Sequence, residues 1–98
     1  MLRLDKYVSF EWDSGNYDKS YQKHGISPSE AEEVFLDKNL IIVRDVKHSQ
    51  TEVRYIIIGK TIEKKLLFVV FTTRGKKIRI ISVRIANKKE KKHYVSKT

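Results

Sequence analysis

The sequence predicts an α+β fold: a mostly antiparallel sheet with helices packed on one side. Three observations carry this expectation. Residues 66–71 and 78–85 are two runs rich in Val, Ile and Phe, separated by Thr73-Arg74-Gly75-Lys76. Branched and aromatic side chains favour extended backbone, and Gly75 can take the positive φ of a tight connection, so these runs form a hairpin. Ile56-Ile57-Ile58 and residues 66–71 are apolar without alternation, which marks a central strand pair covered on both faces. The elements also come in blocks rather than in strict alternation: one strand, two helices, a four-strand segment and a C-terminal helix.

Residues 7–12 alternate enough for a strand, with Val8, Phe10 and Trp12 on one face. Asp13 or Ser14 can cap a first helix that runs to about His24, placing Tyr17, Tyr21 and His24 on one side. Gly25 stops it, and Lys23-His24 sits at the negative end of its dipole. Ser27-Pro28-Ser29-Glu30 starts a second helix, because Ser27 can cap, Pro28 suits the first helical position and Glu30 closes a capping box. Ala31, Val34 and Phe35 form its buried stripe, Glu32 and Glu33 face water, and the helix ends near residues 37–39. Residues 40–44 form a short strand, 45–52 a polar loop containing His48, and 53–59 another strand. Gly59 and Gly75 are read as turn residues. A turn at 63–65 leads into the hairpin. Asn87 caps a final basic helix that runs through Tyr94.

At 98 residues the chain is predicted to be one domain spanning residues 1–98. Its formal net charge is +9 and its sequence pI about 9.8. The charge is unevenly placed: from Lys60 onward 13 cationic side chains face 2 carboxylates, whereas the first 59 residues carry 8 cations and 10 carboxylates. A basic half of this kind fits a polyanion or an acidic protein as partner. Without cysteine there is no disulfide framework, thiol nucleophile or cysteine-built zinc site. No apolar run approaches the ~18 residues of a membrane span, and the first residues lack a signal-peptide core, so a cytoplasmic protein is expected.

His24, His48 and His93 lie in separate segments without metal-ligand spacing, so neither a metal site nor a cofactor is expected. There is no Gly-rich phosphate loop and no nucleophile elbow. Arginines are the notable groups. Arg54 opens a central strand, and Arg79 and Arg84 interrupt the last one. A guanidinium fork recognises phosphate oxygens at two points and can stabilise charge building on a pentacoordinate phosphorus. With His24 or Glu52 as proton acceptor, cleavage of RNA by its own 2′-hydroxyl becomes feasible. Set against this, each arginine can simply pair with a carboxylate, His24 can bond the last carbonyls of its helix, and Lys88, Lys89, Lys91 and Lys92 can be a solvated helix face. Strict alternation also sends Arg79 and Arg84 to opposite faces of their strand, unless a bulge or twist re-aims one. On that reading Arg84 serves the site, and Arg79 holds a carboxylate or meets a partner.

Ordered blocks carry a resemblance: Phe10-Glu11-Trp12-Asp13 with Asn16, Lys23-His24-Gly25-Ile26-Ser27, Glu30-Ala31 with Val34-Phe35, and His48-Ser49 with Glu52 and Arg54. They continue with Ile58-Gly59, Val69-Val70-Phe71-Thr72, Arg74-Gly75, Ile78-Arg79-Ile80-Ile81-Ser82 with Arg84 and Ala86, then Glu90 and Tyr94. Over residues 10–94 the chain resembles the BrnT toxins of type II toxin–antitoxin systems. The resemblance implies a RelE-like α+β endoribonuclease that needs no metal and inhibits translation. It also implies a BrnA-type ribbon-helix-helix antitoxin that forms a hetero-oligomer with the toxin and carries it to operator DNA. Lys23, His24, Glu52, Arg54 and Arg84 are then the expected catalytic set, and Arg79, Lys88, Lys89, Lys92 and Tyr94 the expected RNA contacts. The alternative is a non-catalytic corepressor acting within an antitoxin–DNA complex.

Overall fold

The computed structural model describes Leu4 and residues 9–12, 25–48 and 52–97. Five strands are described: β1 (Ser9–Trp12), β2 (Ile41–Arg44), β3 (Tyr55–Lys60), β4 (Leu66–Arg74) and β5 (Lys77–Ile85). Two α-helices accompany them, α1 (Pro28–Glu33), which continues as a 3-10 turn over Val34–Leu36, and α2 (Lys88–Lys97). The loop after β2 holds a further 3-10 turn, Val46–His48. The helix expected over residues 13–24, with Lys23 and His24, lies outside the described residues.

The sheet order is β1-β5-β4-β3-β2, with β1 parallel to β5 and every other pair antiparallel. It is therefore a five-stranded mixed sheet, and the uninterrupted apolar runs of β3 and β4 do occupy its interior. Gly75, at φ +57, closes the β4–β5 hairpin, with Arg74 paired to Lys77. Gly59 is no turn residue. It lies buried within β3, and a Cβ there would stand 3.0 Å from the Val34 carbonyl oxygen. The missing side chain lets the 3-10 turn after α1 rest directly on the strand.

One face of the sheet forms the main core. Ile57, Leu67, Val69, Phe71, Ile78, Ile80 and Val83 meet Ile26, Ala31, Val34 and Phe35 from the α1 side. Phe71 is the largest fully buried side chain; Phe35 packs edge-on to it at 5.1 Å and Tyr55 stacks on it at 5.4 Å. Losing such a ring costs about 3–5 kcal/mol. The Ser27 hydroxyl accepts from Glu30 N–H and the Glu30 carboxylate accepts from Ser27 N–H, so the capping box forms. Glu32 and Glu33 do not simply face water. Glu32 accepts a 3.0 Å hydrogen bond from the Trp12 indole and Glu33 accepts 2.9 Å from Ile62 N–H, tying α1 to β1 and to the β3–β4 turn.

The second face carries Ile41, Ile56, Ile58, Leu66 and Phe68, and α2 packs here through Tyr94. The two helices thus cover opposite faces, not one side as expected. The reason lies in β3 and β4, whose second-face side chains are as apolar as those facing the core and need a cover of their own. Asn87 Oδ1 accepts from Glu90 N–H and Glu90 Oε1 accepts from Asn87 N–H, a second capping box that starts α2.

A candidate RNA-contacting face

β5 departs from strict alternation. Val70 pairs with Ser82 but Phe71 pairs with Ile80, so Ile81 is an extra residue on β5 and a β-bulge forms. Ile78 and Ile80 point into the core before the bulge and Val83 after it. Consequently Arg79, Ser82 and Arg84 share the second face. The expected split of the two arginines is overturned by one inserted residue. Arg54 precedes β3 in the same phase as Ile56 and Ile58, so it joins them on that face.

Two hollows open on the second face. One, of about 320 Å³, has Asp45, Arg54 and Ser82 as polar lining and Ile56, Phe68, Val70 and Ile81 as apolar lining. The other, of about 560 Å³, runs beside α2 and is lined by Ile58, Lys89, Glu90, Lys92, His93 and Ser96. Arg84 stands between them. Its guanidinium carbon lies 3.8 Å from the centre of the Phe68 ring, a wall of the first hollow. Its two terminal nitrogens each donate 2.7 Å to Glu90, a wall of the second. Cation–π contact and a bidentate carboxylate fix the fork in one plane. The Arg84 hydrogen bonds lower the Glu90 pKa, against burial, and Asn87 N–H adds to the effect.

The other predicted residues are placed as follows. Arg79 donates 2.9 Å to Glu11 across the β1–β5 pair, so it does hold a carboxylate, and so does Arg84. Glu52 lies 4.0 Å from both Arg54 and Arg74, at the end of the sheet near the hairpin turn. Lys89 and Lys92 line the hollow beside α2, and Lys88 is exposed next to them. Tyr94 is corrected. It is 3% exposed, and its hydroxyl donates 2.6 Å to Asp37, so the ring offers no platform for a base. Lys23 and His24 lie outside the described residues.

Sequence reasoning missed Ser82, Asp45, Phe68 and His93. His93 was readable, because Lys89, Lys92, His93 and Ser96 follow i, i+3, i+4, i+7 and so share one helix face. The apolar doublet Ile80-Ile81 inside an alternating strand was the signal of the bulge. Among the described residues no group of three His, Asp or Glu side chains converges as metal ligands would. Among them, too, no helix is long and apolar enough to cross a membrane.

Comparison with known proteins places this face in context. Residues 12–90 match the family described as ribonuclease toxin, BrnT, of type II toxin–antitoxin systems. Among solved structures the chain is similar to the Brucella abortus ribonuclease toxin BrnT, with a TM-score of 0.64 and 23% identity over 83% of this chain and 99% of that one. At that identity the likeness speaks for the fold. A comparison with curated proteins gives no match.

Proposed function

The chain belongs to the BrnT ribonuclease toxin family of type II toxin–antitoxin systems, and from that premise we propose that it is a metal-independent endoribonuclease that cleaves RNA and inhibits translation in the cytoplasm. Its fold would then be of the RelE-like kind, and a BrnA-type ribbon-helix-helix antitoxin would neutralise it and carry it to operator DNA. The observation that supports this most is the β5 bulge, which gives Arg79, Ser82 and Arg84 one face in common with Arg54. That face is cationic, hollowed and only partly covered by α2.

In the proposed reaction the 2′-hydroxyl of one nucleotide attacks the adjacent phosphorus. A base takes its proton, the bond to the 5′-oxygen breaks, and an acid protonates that oxygen. The products are a 2′,3′-cyclic phosphate and a 5′-hydroxyl. Arg54 and Arg84 hold the phosphate and answer the charge that grows on its oxygens. His24 or Glu52 exchanges the protons, with Lys23 as a further member of the catalytic set, and His93 joins these as a candidate because it lines the hollow next to Arg84's carboxylate partner. Arg79, Lys88, Lys89 and Lys92 guide the strand.

A second reading has its own support. Arg54, Arg79 and Arg84 each have a carboxylate within 4.0 Å, as structural ion pairs would. On that reading the protein is a non-catalytic corepressor. Incubating purified protein with RNA in EDTA separates the two. Cleavage leaving cyclic phosphate ends, reduced at least about 100-fold in Arg84→Ala at equal folded yield, is the expected result. Intact RNA with the wild-type protein favours the corepressor.

A further inference from the structure

Opposite the hollow that His93 lines, α2 borders another groove, of about 420 Å³, which no step of the proposed reaction uses. Lys60, Lys64, Lys65 and Lys91 surround it. Leu66, Ile85 and Val95 supply apolar lining, with Ile85 40% and Val95 67% exposed. We propose that this groove is a docking site for an acidic amphipathic segment of the antitoxin. The proposal rests on the family reading, since it takes the partner from it.

Two features of the groove favour a peptide over RNA. Its lining is apolar while its rim is cationic, a pattern matched by a segment with Leu- or Val-type side chains on one side and carboxylates on the other. A sugar–phosphate chain would satisfy the lysines but leave Ile85 and Val95 uncovered. The aromatic residue of the groove, Tyr94, is buried and bonded to Asp37, whereas single-strand binding draws on exposed rings.

The lysines are also held in place. The β3–β4 turn is pinned by Thr61 N–H to Lys65 O at 2.8 Å, Lys64 N–H to Thr61 O at 2.9 Å and Lys65 N–H to Thr61 Oγ1 at 3.0 Å. Within it Lys64 takes φ 69, a left-handed conformation that is disfavoured for a residue with a Cβ. Lysine at this position gives up the relief that glycine would bring and keeps an ammonium at the rim. Lys60 stands 5.6 Å from the Tyr94 ring centre, and Lys65 meets Glu30 at 2.9 Å. A partner carboxylate would therefore compete with Glu30 for Lys65, while Lys64 and Lys91 are exposed at the rim.

Calorimetric titration of the full-length protein with the antitoxin encoded beside its gene tests this, with a labelled single-stranded RNA as second probe. Lys64→Glu/Lys91→Glu should weaken antitoxin binding at least about 30-fold, and Val95→Asp about 10-fold. RNA affinity should change less than about 3-fold. Lys76→Glu/Lys77→Glu, the same charge change at the hairpin end, should leave antitoxin binding within about 3-fold. Thermal melts check that each variant is folded. Wild-type antitoxin affinity in the folded groove variants overturns the proposal. So does a loss of RNA affinity as large as the loss of antitoxin affinity, which would make the groove an RNA surface. If the wild type binds no antitoxin at all, the toxin–antitoxin reading itself falls and the groove's partner with it.

Discussion

The Asp37 carboxylate accepts three hydrogen bonds: 2.6 Å from the Tyr94 hydroxyl, 2.8 Å from Lys60 N–H and 3.0 Å from Asn39 N–H. Burial alone would raise its pKa, but these donors hold it below the ordinary carboxylate range. Through them the residue just past the α1 extension fastens both the end of β3 and α2. Tyr94 answers in the opposite sense: burial first, then the bond to Asp37, push its phenol up to about 12 from 10.0. Tyr94→Phe should cost about 1–3 kcal/mol in urea unfolding near neutral pH, since the lost bond was made to a charged acceptor. The sign of the pH dependence follows from the raised folded pKa. The contribution is complete below the unfolded value of 10.0 and is lost as pH rises towards about 12. The stability gap between wild type and Tyr94→Phe should therefore be level from pH 7 to about 9 and shrink between 10 and 12. A gap that stays level to pH 12 would show that the bond does not couple to ionisation.

At the scale of elements, close approach and register decide the outcome. Gly59 lets the Val34–Leu36 turn touch β3, where an added Cβ would meet the Val34 carbonyl oxygen at 3.0 Å and Val34 Cβ at 3.1 Å. Both neighbours are held by the core, so Gly59→Ala should cost about 1–3 kcal/mol by urea unfolding, whereas an alanine relieved by movement of the turn would be near neutral. This glycine also marks a limit of reading a chain alone. Its sequence context shows one glycine between an apolar run and a polar stretch, which fits a turn as well as a contact between backbones. The hairpin, the Ser27–Glu30 capping box, the Asn87 cap and the central place of β3 and β4 were legible because local chemistry sets them: Gly75, Ser27 with Glu30, the Asn87 side chain, and unbroken apolar runs. The bulge at Ile81 and the side on which α2 lands were not, because register and helix placement are chosen by the partner surface. That choice is what moved Arg79 and Arg84 onto one face.

For the molecule as a whole, the two faces of the sheet are covered differently. The α1 face is closed by aromatic and branched side chains, and the α2 face leaves Arg54, Arg84 and the Lys89–Lys92–His93 side of α2 around open hollows. The charge asymmetry along the chain is thereby converted into an asymmetry in space, because β5 and α2 both belong to the basic half. Long-range attraction and local phosphate contact should then be separable. Lys88, Lys89 and Lys92 are exposed on α2, and on the proposed reading they would act on a phosphate chain by neutralising it, which releases counterions. For single strands each neutralised phosphate contributes about 0.7 to the slope of log affinity against log salt. Replacing all three lysines by alanine should lower that slope by about 2 and weaken RNA binding uniformly across sequences, read by fluorescence anisotropy from 50 to 200 mM salt. Arg54→Ala should instead reduce single-turnover cleavage at saturating protein while changing the slope by less than about 1, because on the proposed reading it meets charge at one phosphate in a hollow. An unchanged slope in the triple alanine variant would place the RNA path elsewhere on the molecule, and a cleavage loss in that variant persisting at saturation would make the α2 lysines part of the chemistry.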